Sequence, residues 1–83
     1  MRNHDKKTIP KLLKMKSRGE KIVCLTAYDT LLASLLDASN VDLILVGDSA
    51  AMVYAGHDTT LPITMDQMIY HCQMAARGIR KAF

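Results

Sequence analysis

Apolar positions change their rhythm several times along this chain, and each change marks an element. Thr8 precedes Ile9 and Pro10, and Leu12, Leu13 and Met15 then recur at helical spacing up to Gly19. A threonine cap, a proline in the first turn and a glycine stop predict one short amphipathic helix over about residues 8–18. The next run, Ile22-Val23-Cys24-Leu25, is apolar without alternation, as in a strand covered on both faces within a parallel sheet, and predicts a strand over about 21–26. Leu31, Leu32, Leu35 and Leu36 then form a helical stripe over about 30–39, ending at Asn40, a residue that tolerates the left-handed conformation. A second strand is predicted over about 41–46, centred on Leu43, Ile44 and Leu45 and terminated by Gly47-Asp48-Ser49. The stretch over 47–63 contains Gly56-His57-Asp58 and Pro62 and reads as a functional loop, or as a short helix followed by a loop. Thr64 and Gln67 make a T-x-x-Q capping box, from which Met65, Met68, Ile69, Cys72, Ala76 and Ile79 carry one apolar face through a helix over about 65–82.

The predicted order is helix, strand, helix, strand, loop, helix, an α/β arrangement in which alternation implies parallel strands joined by right-handed crossovers. Two parallel strands make a poor sheet alone. Buried parallel sheets have helices on both faces and usually more strands, so these apolar faces want neighbours, and open strand edges favour pairing with a partner.

Composition narrows the class without changing that picture. A chain of 83 residues, 49% of them hydrophobic, fits one small soluble domain, which buries only about 60% of its unfolded surface. Apolar runs such as Leu43 to Val46 are strand-sized, far from the roughly 18 residues of a membrane span, and a cytoplasmic protein is expected. Cys24 and Cys72 have no CxxC spacing and are expected to be reduced, mostly buried thiols. Eight of the eleven Lys and Arg lie within residues 1–21 against only Asp5 and Glu20, leaving that segment near +6 and the remainder near −3. A solvated helix face is the preferred reading of this charge, and a small basic module binding nucleic acid or an anionic surface is its rival.

Candidate chemistry gathers where the strands end. Ligands of parallel α/β sheets bind at the carboxyl ends of strands, and Tyr28 and Asp29 follow the first strand while Asp48 and Ser49 follow the second. An Asp leaving a buried strand suits a hard cation such as Mg²⁺, and the following Ser offers a hydroxyl and an N–H to an anionic group. Gly-Asp-Ser is also an ordinary turn and cap sequence, so Asp48 stays open between the two readings. Asp29 reads as a helix cap, Tyr28 as either a pocket or a packing residue, and His57 as a surface residue, a loop latch or a ligand. His71 and the six Met residues show no ligand spacing and are assigned to helix surface or core. GxGxxG, GxxxxGK[ST] and HExxH are all missing, which removes the commonest nucleotide and zinc readings.

Three strings in register then carry a resemblance. Leu25-Thr26-Ala27-Tyr28-Asp29, Val46-Gly47-Asp48-Ser49 and Gly56-His57-Asp58-Thr59-Thr60-Leu61-Pro62-Ile63-Thr64, with Met68-Ile69-Tyr70-His71 and Ala76-Arg77-Gly78 behind them, resemble the N-terminal part of the ketopantoate hydroxymethyltransferases over roughly residues 8–83. The resemblance implies a (β/α)₈ TIM-type barrel, of which this chain holds an N-terminal helix and about two βα units. It also implies transfer of a hydroxymethyl group from 5,10-methylenetetrahydrofolate, the cosubstrate, to 3-methyl-2-oxobutanoate, giving 2-dehydropantoate in pantothenate biosynthesis. Mg²⁺ is the implied cofactor, with Asp48 as its ligand and as a 2-oxoacid contact, Ser49 binding the substrate carboxylate, and Tyr28 lining the pocket. The remaining metal and substrate groups and the general base are expected beyond Phe83, so that the chain alone lacks appreciable activity, and a homo-oligomer is expected of the intact enzyme. Other Mg²⁺-dependent barrels acting on pyruvate-like acids are a third reading, against which the TLPIT string argues by resemblance. One departure stands out. Where the family usually reads GDSLGM, this chain has Asp48-Ser49-Ala50-Ala51-Met52, and a positive φ at Ala51 would strain the loop.

Overall fold

The computed structural model describes residues 6–83 of the chain, so the first five residues of the basic segment lie outside it. Its order is α1 (Ile9–Ser17), β1 (Cys24–Thr26), α2 (Thr30–Ala38), β2 (Leu43–Leu45), α3 (Ala50–Val53) and α4 (Met65–Gly78). The strands pair in parallel, with Cys24 opposite Leu43, Leu25 opposite Ile44 and Thr26 opposite Leu45.

Local chemistry sets most boundaries. Thr8 Oγ1 accepts from the Lys11 amide at the start of α1, and Gly19 leaves that helix at φ +73°. Asp29 caps α2 by accepting from the Leu32 amide at 2.8 Å, and Asn40 closes the turn after it at φ +65°. Thr64 and Gln67 form the reciprocal capping box of α4, with Thr64 N–H donating to Gln67 Oε1 at 2.9 Å and Gln67 N–H to Thr64 Oγ1 at 3.1 Å.

Both strands and the last helix are shorter than the apolar pattern predicts. Ladder pairing begins at Cys24 because the Val23 amide donates to the Asp42 carboxylate (3.0 Å), whose other oxygen meets Lys7 Nζ at 3.6 Å. At the far end α4 stops at Gly78, since Ile79 turns extended and the Arg80, Lys81 and Ala82 amides all donate to the Asp37 carboxylate, at 3.1, 3.0 and 2.7 Å. Burial by itself would raise the pKa of Asp37; the three amides and the Lys81 charge outweigh it and hold the carboxyl below its ordinary value. The turn delivers Phe83 to the free edge of β2, where its N–H donates to Asp42 C=O (2.9 Å) and its C=O accepts from the Ile44 amide (3.0 Å).

The core is small and rich in alanine: Ala27, Ala33, Val41, Ile44, Ala75 and Ala82 are buried together, with Leu36, Val46 and Ile79 packed on them. Helices α2 and α4 approach closely because Gly78 has no Cβ, which would sit 2.5 Å from the Thr30 carbonyl oxygen and 2.9 Å from the Ser34 nitrogen. The two-sided cover expected of the strands is not present: Val23, Leu25 and Leu45 remain 47%, 46% and 51% exposed. The same open layers correct the expectation for the thiols, since Cys24 on β1 and Cys72 on α4 are both exposed and free. Among the described residues, no helix is long and apolar enough to cross a membrane.

Candidate functional site at the strand ends

Tyr28 and Ser49 follow neighbouring parallel strands, so the register that pairs Thr26 with Leu45 brings the next residues of each onto one rim. The Tyr28 hydroxyl and Ser49 Oγ lie 2.6 Å apart, and either atom can be the donor. Tyr28 is 9% exposed, and its ring stands among Tyr54 and His71 at centroid separations of 6.3 and 6.2 Å. His71, from α4 and 7% exposed, holds its Nδ1 2.9 Å from the Tyr28 carbonyl oxygen.

Asp48 sits beside this pair with a different character. Its backbone carbonyl accepts from the Ala51 amide at 3.0 Å, opening α3 as an ordinary turn would. Its side chain is exposed and takes no hydrogen bond or ion pair from the described residues. No group of three or more His, Cys, Asp or Glu among the described residues could enclose a metal ion. Asp48 is therefore a single carboxylate that could serve as one corner of a coordination sphere, with Mg²⁺ commonly held by one or two carboxylates plus substrate oxygens and water.

Ala51 introduces no strain. It lies in α3 with ordinary helical backbone, Asn40 being the one positive-φ residue other than glycine among those described. Ala50 and Ala51 are each 1% exposed and line a cavity of about 340 Å³ together with Tyr54, Ile63, Gln67, Tyr70, His57 and His71. His57 is thus a lining residue of the loop, and its amide closes the loop by donating to Ala51 C=O at 2.9 Å. Asp29 is spent on capping α2. His71 is the site residue that sequence reasoning missed. Its partner lies 43 positions earlier, and the sequence offers only a histidine beside, not on, the apolar stripe assigned to this helix.

The basic segment is largely turned to structural use. Lys7 pairs with Asp42, Lys6 Nζ donates to the Ala82 carbonyl, Lys11 Nζ donates to the Lys6 carbonyl, and Arg18 pairs with Glu20 at 3.7 Å. The groove that Lys7, Lys11, Lys14 and Arg18 share also contains Glu20 and Asp42, a mixed lining poorly matched to a polyanion.

Comparison with known proteins places this geometry in context. The sequence profile of the family described as Ketopantoate hydroxymethyltransferase matches residues 6–83. Similar curated proteins, each named 3-methyl-2-oxobutanoate hydroxymethyltransferase, come from Magnetococcus marinus (60% identical, covering 89% of this chain and 28% of the relative), Cytophaga hutchinsonii (61%, 93% and 28%) and Syntrophotalea carbinolica (54%, 94% and 29%). The chain thus spans between a quarter and a third of the length of these relatives.

Proposed function

The chain belongs to the ketopantoate hydroxymethyltransferase family, and from that premise we propose that it forms one rim of an active site that transfers a hydroxymethyl group from 5,10-methylenetetrahydrofolate to 3-methyl-2-oxobutanoate. The observation carrying this reading is the 2.6 Å Tyr28–Ser49 contact at the carboxyl ends of two parallel strands, with the Asp48 carboxylate unpartnered beside it. On this reading the two βα units belong to a (β/α)₈ barrel, whose other strands cover the open apolar faces and bring the general base and further ligands. The segment alone then has no appreciable turnover, because proton transfer and charge stabilisation fail together when their groups are missing.

Roles follow from what each group can donate. If Tyr28 donates its phenolic hydrogen to Ser49 Oγ, the serine hydroxyl hydrogen is left to donate to a substrate carboxylate. The phenol then fixes which way the serine points, and the nearly buried Tyr28 ring keeps water from that side. Asp48 would hold Mg²⁺ as one of its oxygen ligands, the remainder coming from elsewhere in the barrel, from the 2-oxoacid and from water. A bound Mg²⁺ supplies positive charge where negative charge develops on the 2-oxoacid as it loses its proton.

A chimera in which these 83 residues replace the matching segment of the Magnetococcus marinus relative tests the proposal. It should show Mg²⁺-dependent formation of 2-dehydropantoate, and Asp48→Asn should lower kcat/KM by about 100-fold or more. Equal activity in the D48N chimera, or comparable turnover by the separate 83-residue chain, would overturn it.

A further inference from the structure

The proposed mechanism uses the Tyr28 and Ser49 hydroxyls and leaves His71 without a part. Yet His71 is 7% exposed and spans from α4 to the end of β1. Its Nδ1 lies 2.9 Å from the Tyr28 carbonyl oxygen, an atom that can only accept, so Nδ1 must carry the proton. No backbone amide among the described residues donates to that carbonyl, which makes the imidazole its partner. The ring is held by edges and faces on three sides, with Tyr54 at 5.0 Å (77° between planes), Tyr70 at 5.6 Å and Tyr28 at 6.2 Å. A side chain needed only for packing among aromatic rings has no use for a donor at this place.

We propose that His71 is a positioning residue for the Tyr28–Ser49 pair, its Nδ1–H fixing the Tyr28 carbonyl and thereby the direction in which the phenol meets Ser49. The inference rests on the reading of Tyr28 and Ser49 as substrate-pocket groups. Tyr28 lies between a three-residue strand and the Asp29 cap, so its peptide is outside both ladders and needs an anchor of its own. His71 supplies one from a helix whose start is locked by the Thr64–Gln67 box, seven residues earlier at Thr64. Position of the substrate hydroxyl contacts therefore depends on α4, an element that carries none of them.

Two substitutions separate hydrogen bonding from packing. His71→Phe keeps a ring and removes the donor, whereas His71→Asn loses the ring and keeps an N–H close to the place of Nδ1. In the chimera, H71F should raise KM for 3-methyl-2-oxobutanoate about tenfold with a much smaller change in kcat, and H71N should stay within about twofold of the parent. In the 83-residue chain, NMR should show the Nδ1–H tautomer of His71, and H71F should move the Tyr28 ring and Ser49 signals while leaving the Ala33 and Ala75 amides in place. An H71F variant with unchanged KM and unmoved Tyr28 signals, or one that outperforms H71N, overturns the assignment. If the NMR result holds while the parent chimera is inactive, the positioning stands and the substrate reading falls.

Discussion

Along the seam between α2 and α4 the chain meets its own needs. Thr30 Oγ1 donates to the Met74 carbonyl at 2.6 Å, Gly78 lets backbone approach backbone, and Asp37 gathers three amides from the turn beyond α4. The sheet behind it is built on the opposite plan, with large apolar side chains at Val23, Leu25 and Leu45 about half exposed. The seam uses small residues and directed hydrogen bonds, which two helices can complete between themselves. The sheet uses apolar area, whose value comes only from a covering layer. The candidate site lies where these two plans meet, its hydroxyl pair on the sheet side and its imidazole anchor on the helix side.

The contrast can be broken from the seam outward. Asp37→Ala should have the largest effect, about 3 kcal/mol in urea unfolding of the chain, because it strands three amide donors, that of Ala82 buried and those of Arg80 and Lys81 partly so. The same carboxyl gives a pH signature. With its folded pKa lowered, its stabilisation is fully present above the ordinary value of 3.8 and is lost as pH falls from there through the folded value; a D37A chain should lose that part of its acid sensitivity. Gly78→Ala should cost about 2 kcal/mol, since the new methyl meets backbone atoms of α2 that cannot rotate away. Thr64→Ala should cost about 1 kcal/mol and fray α4 by circular dichroism, the capping box losing its hydroxyl. At the other extreme, Leu45→Ser on the open sheet should change the stability of this chain by less than about 0.5 kcal/mol. A loss at Leu45 as large as that at Gly78 would mean that the sheet face is covered and would erase the distinction.

Which features were readable in the sequence follows from the range of the forces that set them. Caps at Thr8, Asp29 and Thr64 and the left-handed stops at Gly19 and Asn40 depend on atoms within a few residues, and the structure carries all of them. Parallel pairing was readable from two unbroken apolar runs of the right length. Strand and helix ends were not, because Asp42 takes the Val23 amide and Asp37 takes the Arg80 to Ala82 amides across 19 and more than 40 residues. The exposure of Cys24 and Cys72 escaped for a related reason: an apolar run says that a face seeks cover, not whether these residues provide it. At the site, the Tyr28–Ser49 meeting could be anticipated from strands sharing a rim, while the His71 anchor required the relative placement of α4.

Phe83 has a consequence for how the molecule behaves in company. By bonding to Asp42 and Ile44 it takes up the peptide groups on that stretch of the β2 rim. The opposite margin of the sheet, where the peptide groups of Cys24 and Thr26 alternate with those turned toward β2, has no such guard among the described residues. A charge placed at Cys24 should therefore slow self-association of this chain at high concentration.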